Sequence, residues 1–214
     1  MMAAKHPMGR LCKTLKFTTL LLAGLFFLTL SLSQSNSASA LTGPERHVTS
    51  IANSVIRLAR SNARGPVLHK KFIRLLSTHA NMNSVALFSL GPYRRKLPAR
   101  LKPRYQKLVK AYVAGLFVYY ADDFKGRKLK IINSRKSGRS VIINSKITFS
   151  GSSKPVIWRV YQRGRRYHVT DVNIRGIWLS IQMRQKFTQI LKRNKGDFNA
   201  LLLFLAKYKN WLPK

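Results

Sequence analysis

Side chains that commonly perform acid–base catalysis are scarce in this sequence of 214 residues, which contains five acids in all. Asp122 and Asp123 are adjacent, so they would point to different sides of a helix and suit a helix end better than a catalytic pair. Asp171 is the one acid within a predicted strand, where a buried carboxylate could act as a general base. We favour the alternative that Asp171 forms an ion pair with an Arg or Lys of a neighbouring strand.

The histidines and the cysteine do not form a reactive group either. The five histidines lack the spacing of metal ligands, and the sequence contains no serine-nucleophile motif, phosphate loop or dinucleotide fingerprint. Cys12 is the only cysteine and precedes residue 40, so the remaining chain can form neither a thiolate metal site nor a thiol nucleophile. The sequence therefore predicts a protein that is not an enzyme, with no catalytic residue, metal or cofactor.

The amino terminus has the three parts of a secretory signal. Four basic residues lie in 1–16, sixteen mostly apolar residues follow at 17–32, and Ala38-Ser39-Ala40 supplies small residues at a cleavage site. The alternative is an uncleaved membrane anchor, but a helix needs about 20 residues to span a bilayer. We therefore predict a cleaved signal peptide at 1–40 and one domain at 41–214, located in the periplasm.

The charge is strongly positive, with 41 Lys and Arg residues against five acids and a formal net charge of +36. Such a chain attracts polyanions, and both nucleic acid and anionic membranes qualify. The basic runs at 94–96 and 163–166 resemble nucleic-acid patches. However, no nucleic-acid fold motif accompanies them, and the chain is predicted to be exported. We therefore expect transient contact with anionic membrane and no nucleic-acid partner.

Apolar spacings of three and four residues predict helices on both sides of a strand-rich region. The first predicted helix begins near Thr42. The other predicted helices cover 67–79, 84–90, 98–124, 176–195 and 198–211. Between them, alternation predicts four strands with short links, which implies an antiparallel meander. In the fourth strand, His168, Thr170, Val172 and Ile174 share one side, opposite Tyr167, Val169, Asp171 and Asn173. The expected class is α+β: N-terminal helices, a four-stranded antiparallel curved sheet and C-terminal helices.

The stretch 167–191 carries a family signature around this strand-to-helix corner: Asp171-Val172, Gly176, Leu179, Arg184, Phe187 and Ile190. With the turn at 87–91, it resembles the MlaC family of periplasmic phospholipid-binding proteins, also called toluene-tolerance or ABC-transporter auxiliary proteins. The hopanoid-associated HpnM branch is similar too. Two positions depart from the family pattern, since Met183 replaces a usual Tyr and Lys186 replaces an acidic or small residue.

The resemblance implies an NTF2-like fold with a deep apolar cavity and the function of a phospholipid carrier. Its expected partners are a phospholipid, an inner-membrane ABC-transporter complex and an outer-membrane lipoprotein complex. Alternatives are an NTF2-like enzyme, a hopanoid-associated carrier and, less favoured, a basic exported nucleic-acid-binding protein.

Inward-facing apolar residues are the candidates for the cavity wall. The predicted lipid-binding residues are Phe72, Leu75, Tyr112 and Leu116 from the earlier helices, Val141, Ile143, Ile147, Phe149, Trp158 and Val160 from the sheet, and Met183 and Phe187 from the later helix. Val172 and Ile174 are further candidates.

Overall fold

The first helix begins at Gly43 in the computed structural model, which describes residues 41–149, 151–174 and 176–207. The predicted signal peptide lies outside these described residues. The backbone N–H of Thr42 donates to Glu45 Oε2 at 2.8 Å, and Pro44 occupies the first turn. The hydrogen bond satisfies a free donor at the helix start.

Six α-helices are present in the described ranges. They are α1 (Gly43–Arg60), α2 (Gly65–His79), α3 (Met82–Ser89), α4 (Lys102–Tyr119), α5 (Leu179–Arg193) and α6 (Phe198–Lys207). The predicted continuous helix at 98–124 is wrong at both ends, where Ala99–Leu101 and Ala121–Phe124 form 3₁₀ turns. Pro103 lies in the first turn of α4, where a missing backbone N–H costs no hydrogen bond.

The sheet contains five strands rather than the four predicted, in the order β1-β2-β3-β4-β5, and each neighbouring pair is antiparallel. The strands are β1 (Lys128–Ser137), β2 (Ser140–Phe149), β3 (Ser152–Arg163), β4 (Arg166–Ile174) and β5 (Ile177–Trp178). Gly176 has φ +84°, a left-handed conformation that reverses the chain so that Ile177 pairs with Ile174. Helix α5 therefore begins at Leu179 and not at Gly176. The α+β class is confirmed.

A register shift in β4 changes which side chains share a face. Val156 pairs with Ile174 and Trp158 with Val172, but Val160 pairs with Val169, which leaves Thr170 as the extra residue. The uniform alternation predicted for β4 is therefore wrong. Val169, before the bulge, and Val172, after it, both lie on the same face of the sheet as Trp158.

The buried apolar residues form three clusters. The sheet cluster joins α1 to the inner face of the strands, with Val48, Ile51, Ala52, Ile143, Val156, Trp158, Val160 and Val169 at its centre. The helix cluster joins α3, α4, α5 and α6 around Tyr105, Phe187, Leu191, Leu201 and Leu205. The α2–α4 cluster joins the end of α1 to α2 and the end of α4 through Ala59, Leu68, Phe72, Ala114 and Phe117.

Candidate functional site

The inner face of the sheet is an apolar wall covered by α1. Cross-strand pairs build it in rows, because Val141 lies opposite Val160 and Ile143 lies opposite Trp158. Ile143 has no exposed surface and Val160 has 1%. Burying a side chain of this size stabilises the fold by about 1.5–3 kcal/mol. This wall comes from the alternation that the sequence predicts for β2 and β3.

One polar residue interrupts the wall and is fully satisfied. Ser145 Oγ donates to the carbonyl of Val156 at 2.8 Å and accepts from Trp158 Nε1 at 2.9 Å. The hydroxyl thus gives the indole N–H a buried partner and leaves the ring free to lie among apolar neighbours. The face consequently presents an almost continuous apolar surface.

The twelve predicted lipid-binding residues are divided among the clusters and are not gathered on one surface. Val141, Ile143, Ile147, Trp158 and Val160 belong to the sheet cluster, Phe72 and Leu75 to the α2–α4 cluster, and Tyr112, Met183 and Phe187 to the helix cluster. Leu116 is half-buried on α4, and the side chain of Phe149 lies outside the description. Of the two further candidates, Val172 packs on the sheet cluster, whereas Ile174 is 45% exposed.

Aromatic rings hold the helical candidates in place. The rings of Phe72 and Phe117 are stacked with centroids 3.9 Å apart, which fixes α2 against α4. Tyr112 and Phe187 meet edge to face at 5.8 Å and connect α4 to α5. Such contacts add about 0.5–1.5 kcal/mol to the burial of each ring. These ring contacts therefore define how α2 and α5 pack against α4.

Asp171 joins the sheet to α5. Its Oδ1 accepts from the backbone N–H of Ser180 at 3.1 Å and from that of Val172 at 3.0 Å, and its Oδ2 accepts from Ser180 Oγ. Arg159 Nη1 lies 3.6 Å from Oδ2, so the predicted ion pair with a neighbouring strand is present. The carboxylate is 6% exposed and has structural partners at both oxygens. This arrangement suits a corner fixed by hydrogen bonds.

The turn at 87–91 and the stretch 167–191, which together carry the family resemblance, are in contact in the structure. Gly91 follows α3 with φ +53°, and a Cβ there would lie 2.8 Å from Arg184 Nε. The Arg184 guanidinium lies 5.4 Å from the centre of the Phe88 ring. A side chain at position 91 would push the Arg184 side chain aside, and the left-handed backbone there also favours glycine.

Three histidines cluster where α1, α2 and β4 meet. The rings of His47 and His79 are 5.4 Å apart, the ring of Tyr167 is 6.0 Å from His47, and His168 is close enough to act on both electrostatically. Burial and the neighbouring His79 lower the pKa of His47, and burial and His168 lower the pKa of His79. His47 Nε2 is buried without a hydrogen-bond partner among the described residues. Sequence spacing gave no sign of this cluster.

The free energy of unfolding is expected to fall as the pH is lowered from 7.5 to 5. In the folded state the pKa values of His47 and His79 lie below the ordinary 6.5. As the pH falls, the unfolded chain therefore binds protons at a higher pH than the folded protein does, and this binding stabilises the unfolded state relative to the folded one. Urea unfolding across this range measures the effect. A double variant, His47→Gln with His79→Gln, should show a flatter dependence. An unchanged slope in that variant would show that other groups cause it.

A basic groove lies between α1 and α2 and was not anticipated from the sequence. It has a volume of about 400 Å³, and its lining includes Arg57, Lys71 and Arg74 together with Leu58 and Leu75. The spacing of Lys71, Arg74 and Leu75 places them on one face of α2. This spacing is the sequence signal that could have predicted the groove.

Neither a metal site nor a membrane-spanning helix is found in the ranges that the structure describes. No three of their His, Cys, Asp and Glu side chains are placed to hold a metal ion. None of their helices combines the length and the apolar composition that crossing a bilayer requires.

Comparison with known proteins connects this architecture to one family. The family model described as MlaC protein matches residues 48–207. A phospholipid-binding protein from Ralstonia solanacearum, solved at 1.53 Å in complex with a phospholipid, has a similar fold with a TM-score of 0.66 and 16% sequence identity. The alignment covers 78% of this chain and 97% of that protein. A search of curated proteins found no match. Because the family model matches well over half of this chain, the chain belongs to the MlaC family.

Proposed function

We propose that this protein is a periplasmic phospholipid carrier that encloses acyl chains between the inner face of the sheet and the helices. The observation that carries the proposal is the apolar wall built by Ile143, Trp158 and Val160, in a chain of the MlaC family. The Ralstonia protein of similar fold, which was solved with a phospholipid, supports the same ligand class. Of the twelve residues predicted from the sequence, the proposed wall takes those of the sheet cluster, Val141, Ile143, Ile147, Trp158 and Val160, and α1 is the element that would part from the sheet.

Energetics explain why such a carrier is needed. Exposing an acyl chain to water costs about 0.8 kcal/mol per CH₂. A phospholipid with roughly thirty CH₂ groups would therefore cost on the order of 25 kcal/mol to move unaided through water. A protein interior that is as apolar as the bilayer removes most of this cost and allows both loading and release. In our proposal the lipid travels between an outer-membrane lipoprotein complex and an inner-membrane ABC-transporter complex, which supplies the ATPase.

The direct test is to identify the molecules that the protein carries. Protein purified from its own periplasm without detergent should release phospholipid into organic solvent, in close to molar proportion, as identified by mass spectrometry. A hopanoid in the extract would support a hopanoid-associated carrier instead. Extracts without lipid, from protein that is folded by circular dichroism, would contradict the carrier proposal.

The proposed location has its own test. The exported protein should begin at Leu41 when its amino terminus is sequenced, because cleavage is predicted after Ala40. Recovery of the intact terminus in the membrane fraction would contradict cleavage and support an anchor.

Salt is expected to weaken membrane encounter without releasing bound lipid. The chain after residue 40 has a formal charge of +32, because the predicted signal peptide holds four of the 41 basic residues and no acid. This charge attracts anionic vesicles, and the Debye length falls from about 30 Å to about 8 Å between 0.01 and 0.15 M salt. Co-sedimentation with phosphatidylglycerol vesicles should therefore decrease steeply over this range, whereas neutral phosphatidylcholine vesicles serve as the control. Loss of the enclosed lipid at the higher salt would argue against an apolar site.

A further inference from the structure

The groove between α1 and α2 combines positive charge with an apolar floor. Lys71 and Arg74 lie on one face of α2, and Arg57 lines the groove from α1. The floor includes Leu58 and Leu75, which are half-buried and pack on the α2–α4 cluster. A ligand that fills this groove must therefore present anionic and apolar parts side by side.

The three cations lack an acidic partner in the described part of the chain. Ion pairs in that part join other residues, Lys125 to Asp122 and Arg159 to Asp171. Arg57 donates to the hydroxyl of Ser54 at 2.8 Å, which leaves its charge uncompensated. Like charges that line one groove repel each other, and an anion between them removes that repulsion. The guanidinium forks match phosphate oxygens, and the ammonium of Lys71 adds a point charge.

We propose that this groove binds the phosphate group of an anionic phospholipid, with Arg57, Lys71 and Arg74 holding the phosphate and Leu58 and Leu75 contacting the adjoining methylenes. The choice of a phospholipid rests on the proposed function. The choice of a phosphate-bearing amphiphile rests on the groove itself. Inorganic phosphate would satisfy the cations but would leave the exposed part of the two leucines uncovered.

The test uses the full mature chain and a soluble probe. Dihexanoyl phosphatidylglycerol, below its micelle concentration, is titrated into delipidated protein by calorimetry. The double variant Arg57→Gln with Arg74→Gln should bind at least tenfold more weakly. The control Arg60→Gln with Lys70→Gln removes the same charge from exposed positions of the same helices that do not line the groove, and should change affinity less than twofold. Melting curves of both variants verify that they are folded.

A local readout and a second ligand separate the possible outcomes. His79 also lines the groove, so its ring NMR signals should shift when the probe binds to the wild type. Inorganic phosphate should bind more weakly than the probe. Equal affinity for inorganic phosphate would overturn the amphiphile assignment and leave a simple oxyanion site. Equal losses in both double variants, or absence of probe binding, would overturn the groove as a site.

The groove and the carrier function can fail separately. If the purified wild type contains phospholipid while the Arg57→Gln, Arg74→Gln variant binds the probe as tightly as the wild type, the groove assignment is wrong and the carrier function remains. If the purified protein contains no lipid but binds the probe in a manner that depends on Arg57 and Arg74, the groove assignment remains and the carrier function is wrong.

Discussion

Replacing Asp171 with alanine is expected to lower the free energy of unfolding by about 3–5 kcal/mol, because it leaves several buried hydrogen-bond donors unsatisfied. The substitution removes the acceptor of the Ser180 backbone N–H and of the Ser180 hydroxyl, and it leaves Arg159 without its partner. Ser180 is 4% exposed, so water cannot replace these hydrogen bonds without opening the corner between β5 and α5. Urea unfolding followed by circular dichroism measures the change.

Two variants control this experiment. Asp171→Asn keeps an oxygen acceptor but loses the charge, so it should cost only about 1–2 kcal/mol and leave the bound lipid in place. Asp123→Ala removes an exposed acid and should change stability by no more than about 0.5 kcal/mol. A well-folded Asp171→Asn protein that had lost a measurable catalytic turnover would instead favour an enzyme with Asp171 as its base.

Hydrophobic periodicity was sufficient for the elements whose faces depend on burial alone. The alternation in β2 and β3 placed Ile143, Trp158 and Val160 on one face, where the structure has them. The same reasoning missed β5, because the turn at Gly176 depends on a left-handed backbone conformation and not on a pattern of apolar residues. It also missed the bulge at Thr170, because the method assumes strict alternation along a strand. One extra residue reverses the face of every residue beyond it.

The candidate site was harder to predict than the fold, because periodicity identifies an apolar face but not the surface that it meets. Phe72 and Phe187 both face inward, yet one packs against the end of α4 and the other lies in the helix cluster. The ion pair of Asp171 with a neighbouring strand was predicted, but its hydrogen bonds with Ser180 were not. Ser180 lies nine residues later and reaches the carboxylate only because β5 folds back on β4.

Ile143→Trp is expected to reduce the lipid that copurifies with the protein at least tenfold. Ile143 lies at the centre of the wall that we propose for acyl chains, opposite Trp158 and under α1, with no surface exposed to water. An indole ring there would occupy the space that we propose opens between α1 and the sheet when lipid enters. Overpacking in the lipid-free state should typically cost about 1–3 kcal/mol, so we expect the variant to remain folded.

A tryptophan elsewhere in the interior distinguishes a lipid-binding wall from an ordinary filled core. Leu201 is also fully buried, but it lies in the helix cluster and is not among the residues proposed to contact lipid. Leu201→Trp should cost a similar 1–3 kcal/mol or more and leave the lipid content of the folded protein unchanged. Lipid extraction and urea unfolding are measured on the same preparations. If both variants retain lipid, or both lose it in proportion to stability, the inner face of the sheet is a filled core and acyl chains bind elsewhere.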